Sequence, residues 1–188
     1  DLTAYGKNVL INSKSRDAWW LSKCFWAVSC VFTYFILMWA IIIIFCVCGA
    51  GKLTLNVSKS LIFKMIPMPS ENVFLSEGDL FSNRYLTCQM LLMPFLIVSA
   101  LSVMQMAVSL VIKPFFSFCI SAGILVLSAY YLNPLLLGNY AMSQRNDLLI
   151  DNGVNTKTGI VFSLALLVLS CVVGLFIFRR YDILNKED

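Results

Sequence analysis

The chain has 188 residues, of which 60% are apolar and only 13% charged, with 14 Lys and Arg against 10 Asp and Glu. A mean hydropathy of +0.83 over that length is more than a water-soluble domain can bury within itself, so the composition excludes an ordinary globular domain and places the chain in a bilayer. The complete absence of histidine excludes an intramembrane serine protease with a histidine base and a metalloprotease with histidine ligands.

The first informative stretch is SRDAWWLSKCFW, Ser15 to Trp26, which sets Arg16, Asp17 and Lys23 around the pair Trp19 and Trp20. It predicts a short amphipathic helix at the cytoplasmic face, with both tryptophans half in the interface and the three charges available to a protein partner. The plainer reading of such a pair is an aromatic-belt anchor. From Cys24 to Gly51 there is then no charged side chain, and uncharged runs recur at Tyr85–Ile112, Pro114–Gln144 and Thr158–Phe178. Each exceeds the roughly 20 residues that cross ~30 Å of hydrocarbon as a helix. The expected fold is an all-α polytopic bundle, one transmembrane domain over 1–188 with spans at about 24–50, 85–112, 114–136 and 158–178.

The long connection Lys52–Arg84 follows the first span, and its segment Val57–Met68 has the composition to lie on the membrane surface. The third run is too long for one straight span. Asn133 and Pro134, followed by Gly138 and Asn139, predict a break near Asn133, with Leu135–Met142 turning back as a kinked or re-entrant outer segment that leads to Arg145. Orientation follows from the basic residues. Lys7, Lys14, Arg16 and Lys23, then Lys113, then Arg179, Arg180 and Lys186 cluster at what is expected to be the cytoplasmic side, which places both chain ends inside and the two longer connections outside. Arg179 and Arg180 by themselves read as a stop-transfer anchor.

Other motifs carry less. GAGKLT, Gly49 to Thr54, has Cys46 where a phosphate-binding loop needs glycine and Leu53 where it needs Ser or Thr. Cys46 and Cys48 have no second pair to complete a metal site, and the seven cysteines are expected to be free thiols. Asn56-Val-Ser58 is a sequon by pattern alone. Gln89, Gln105 and Asn133 are expected to hydrogen-bond between helices, and Met90, Met93, Met104 and Met106 read as apolar filling or as a compliant substrate surface. No Asp, Glu, Lys, Arg or His lies within the four runs. That argues against proton-coupled carriers and intramembrane hydrolases, and leaves a membrane subunit whose energy comes from elsewhere. No catalytic, metal or cofactor-binding residue and no nucleic-acid partner is expected.

The segments SRDAWWLSK before a span, NPLLLGNYAMSQR (Asn133–Arg145) at the end of the penultimate span and FRRYDIL (Phe178–Leu184) closing the last resemble the permease subunits of type-2 ABC exporters, in particular multi-span proteins of Gram-positive bacteria related to bacitracin and lantibiotic exporters. The resemblance implies six spans with a cytoplasmic coupling helix between the second and third, and an irregular outer segment between the fifth and sixth. It also implies a second permease half and a separate cytoplasmic ABC ATPase. On that template the chain, which begins at Asp1, corresponds to spans three to six. Arg16, Asp17, Trp19, Trp20 and Lys23 become the ATPase-coupling residues, and the substrate becomes a peptide or an amphipathic, lipid-like molecule. The competing expectation is a non-transporting membrane scaffold or assembly protein.

Overall fold

A computed structural model describes residues 15–50, 84–147 and 153–180. The expectations for Lys52–Arg84, for the sequon and for the chain ends lie outside these residues, apart from Arg84 itself. The described residues form an all-α bundle. Helix α1 spans Arg16–Ala50, α2 Arg84–Val108, α3 Pro114–Tyr130, α4 Gly138–Ala141 and α5 Thr156–Arg180, with a 3-10 turn at Ser143–Arg145. Asn146 and Val154 add one isolated bridge. Three helices, α1, α2 and α5, are long and apolar enough to cross a membrane. Helix α3, with 17 residues, covers ~25 Å at ~1.5 Å per residue, just short of ~30 Å of hydrocarbon.

Three boundaries differ from the sequence reading, one of them that of the second span, expected over 85–112 and helical only to Val108. The short helix expected ahead of the first span is not separate: α1 runs unbroken for 35 residues. Its sequence has no proline and no glycine before Gly49, and once nucleated a helix extends until something stops it. Ser15 caps the start, its hydroxyl accepting from the Ala18 amide at 3.2 Å, and Asp17 places a carboxylate in the first turn. The third span, expected over 114–136, is helical only to Tyr130, and Tyr131 is extended. Pro114 supplies the favoured first-turn residue of α3, reached from Val108 by a tight turn.

Helix α2 is the centre of the bundle. Of its most apolar stretch 39% is buried, against 17% for α5 and 6% for α1, so the two flanking helices leave most of their apolar residues exposed. Its partner along most of its length is α5, which turns Gly159, Ser163, Ser170 and Gly174 inward. Small residues let two helices approach closely, which matters where lipid removes the hydrophobic drive for helix association. The starts of α1 and α3 and the ends of α2 and α5 share one end of the bundle, where Trp20, Cys24, Val103, Ala107 and Phe178 form a core. At the other end Met93, Ile97, Leu101, Leu137, Tyr140 and Val154 form a second.

Candidate functional site

The SRDAWWLSK segment is the first two turns of α1, and it clasps the last three turns of α5. Trp20 is 1% exposed. Its indole Nε1 donates to the Cys171 carbonyl at 2.9 Å, although 151 positions separate them. The ring fits because residue 174 is glycine: a β-carbon there would sit 2.1 Å from the indole. Phe178, also 1% exposed, is sandwiched between rings, stacking on Trp19 at 4.9 Å between centroids and on Trp20 at 5.9 Å. Lys23 lies over the Trp19 ring at 5.3 Å, a cation on a π face.

The charges complete the clasp. Arg179 donates from Nε to one Asp17 oxygen at 2.8 Å and from Nη2 to the other at 2.5 Å, the two-pronged geometry that fixes orientation. Arg16 donates to the Arg179 carbonyl at 3.2 Å, which satisfies one of the carbonyls that the end of α5 leaves open. The thiols of Cys24 and Cys171 lie 3.7 Å apart beneath the rings. The residues assigned to partner coupling are thus gathered at one place, and their first contact is the chain's own last helix. Asp17 and Arg179 nevertheless keep 39% and 52% of their side chains exposed at the rim of the clasp.

The outer-segment residues converge at the opposite end. Arg145 turns its guanidinium onto the end of α3, where Nη1 donates to the Ser128 carbonyl at 2.5 Å and Nη2 to the Ala129 carbonyl at 2.6 Å. It also donates to the Asn139 side-chain oxygen. The Asn139 amide in turn donates to the carbonyls of Tyr131 and Asn133, both at 2.9 Å. Helix α3 therefore ends before Asn133 because two side chains from further along the chain take its last carbonyls, a capping role for which a cation is well suited. Asn133 accepts from the Leu135 amide at 2.9 Å, closing the turn around Pro134. The Pro134 carbonyl accepts from the Tyr140 hydroxyl at 2.8 Å, and burial holds that phenol above its ordinary pKa. Gly138 and Gly159 make room: a β-carbon at 138 would come within 2.6 Å of Ser128, and one at 159 within 2.5 Å of Tyr140.

Among the described residues no three Cys, Asp or Glu side chains group as metal ligands, and Cys46 and Cys48 are free and exposed on α1. What the sequence reading missed was the partner of each tryptophan and each charge. Gly159 and Gly174 were the available signal, since glycine inside a helix is unfavourable unless a close approach requires it. No curated protein and no solved structure matches the chain. A family model covers residues 1–184, and by that match the chain belongs to the family DUF2705, described as a protein of unknown function.

Proposed function

We propose that the chain is a membrane subunit of an ATP-driven exporter of the ABC type, which lines the path of a peptide or amphipathic substrate while a separate cytoplasmic ATPase supplies the energy. A second permease half, identical or related, completes the path. In this reading both ends of the chain are cytoplasmic and the clasp faces the ATPase. The observation that carries it is the clasp itself. A motor moves a membrane path only through continuous contact, and here the first two turns of α1 are joined to the last three turns of α5 by an indole hydrogen bond, ring stacks and an ion pair. A push delivered at Arg16, Asp17 or Lys23 is passed to α5, and from α5 to the central helix α2. The helices that would line the path carry no Asp, Glu, Lys, Arg or His between Cys24 and Gly49 or between Thr158 and Phe178, which leaves the energy source outside the membrane.

The test is co-purification of an ABC ATPase with the complete permease, together with export, in variants Arg16→Glu and Asp17→Lys. Both should lose ATPase association and export at normal membrane abundance. Retention of both activities in the double variant, or the absence of any ATPase in the purified wild-type complex, would reject the exporter and favour the scaffold.

A further inference from the structure

At the clasp end of the bundle, an apolar groove of about 360 Å³ runs between α2 and α5. That volume is within the range of ~300–1,000 Å³ of ligand clefts. Met104 and Val108 form one wall, Leu166, Val173 and Ile177 the other, and Ile112 of the turn closes its end. The α5 wall is a single helix face, because Leu166, Val173, Ile177 and Arg180 recur at helical spacing. The groove therefore leads directly to a guanidinium. Lys113, exposed, follows immediately on Ile112 and supplies a second cation at the same end. Among the described residues no acidic side chain pairs with either: Asp17 is taken by Arg179, and Asp147 lies at the far end of the bundle.

We propose that this groove holds one acyl chain of an anionic glycerophospholipid, whose phosphate is bound by Arg180 and Lys113. Length supports the match. Leu166 and Ile177 are ~17 Å apart along the helix axis at ~1.5 Å per residue, close to the ~15 Å of hydrocarbon in one leaflet, half of ~30 Å. A lipid seated here has its chain along the groove and its headgroup where the helix ends. Chemistry supports it too: the walls offer an acyl chain only apolar atoms apart from Ser170, and the mouth offers an anion two cations. Access is lateral, since Leu169 and Val173 on the groove wall are 61% and 44% exposed toward the surrounding bilayer. The inference is independent of transport, because a scaffold would bind the same lipid.

The experiment is to reconstitute the full chain in equimolar phosphatidylglycerol and phosphatidylcholine, extract it in neutral detergent, and count retained lipids by native mass spectrometry. Wild type should retain phosphatidylglycerol in preference. Removing one cation, by Arg180→Gln or Lys113→Gln, should lower that preference about fivefold, and removing both about 25-fold, on the worth of a basic residue near an anionic surface. Val173→Trp, which fills the groove and leaves both cations in place, should lower phosphatidylglycerol retention. Excess inorganic phosphate should not displace the lipid, because the acyl chain holds it. Equal retention of the two lipids by wild type, an unchanged preference in the double variant, an inert Val173→Trp, or displacement by phosphate would each overturn the proposal. So would cysteine cross-linking of Val173→Cys chains to one another, which would put a second copy in the groove.

Discussion

The two ends of the bundle are held by contacts of different reach along the sequence. At the clasp, contacts cross the whole sequence, Asp17 with Arg179, Trp19 with Phe178 and the Trp20 indole with the Cys171 carbonyl. At the far end, side chains meet backbone within a short segment, with Arg145 and Asn139 closing on carbonyls of residues 128 to 133. The clasp therefore forms only when the first and last helices are both in place, whereas the far end is closed by a segment that directly follows α3. A guanidinium seated on several carbonyls has one geometry and fixes where a helix stops.

The comparison breaks most severely at Trp20. Trp20→Ala removes a fully buried ring and orphans the space above Gly174, and should cost about 3–5 kcal/mol in unfolding of the purified chain. A loss below about 1 kcal/mol would mean that the clasp does not hold the first helix to the last. Arg145→Met comes next, with the carbonyls of Ser128 and Ala129 left without a charged donor, at about 1.5–3 kcal/mol. The signature should be local: faster amide exchange over the last turn of α3, with the clasp core unchanged. Arg145→Lys should not rescue it, since an ammonium cannot span the carbonyls that the planar fork reaches.

The helical membrane architecture was legible because a charge-free run longer than a bilayer is a one-dimensional signal, and the break after α3 because Asn133-Pro134 is a local one. The clasp was not legible. An aromatic and charged helix start has the same sequence whether it faces a partner or the chain's own last turn, and only the fold brings residue 20 to residue 174. Arg145 and Asn139 meet through a hydrogen bond, but the role of Arg145 as a cap depends on α3 ending where it does, which the long uncharged run Pro114–Gln144 conceals. The unbroken start of α1 was hidden by a change of composition at Cys24 that is not a change of conformation.

A gentler perturbation sharpens the picture of close approach. Gly174→Ala pushes a methyl toward a rigid indole and should cost about 1–3 kcal/mol by overpacking. In a Trp20→Phe background the smaller ring leaves room, so the same substitution should cost clearly less. Equal costs in both backgrounds, measured as a double-mutant cycle, would place the strain of Gly174→Ala somewhere other than Trp20.

The smallest effect belongs to Asp17 and Arg179, and it separates two sources of charge stabilisation. The pair is more than a third exposed on both sides, so solvent and salt screen it, and Asp17→Asn should shift stability less than any substitution above. Charge reversal should be worse than neutralisation. Asp17→Arg sets a cation against Arg179 and beside Arg16, at a helix start whose exposed amides already favour an anion. The exchange Asp17→Arg with Arg179→Asp restores an ion pair but leaves both helix ends with the wrong sign, a cation at the start of α1 and an anion at the end of α5. It should therefore recover only part of the loss, and high salt should shrink the remainder, because helix-terminus effects are screened as the pair is. Full recovery at low salt would assign the whole effect to the pair, and no recovery would assign it to the helix ends.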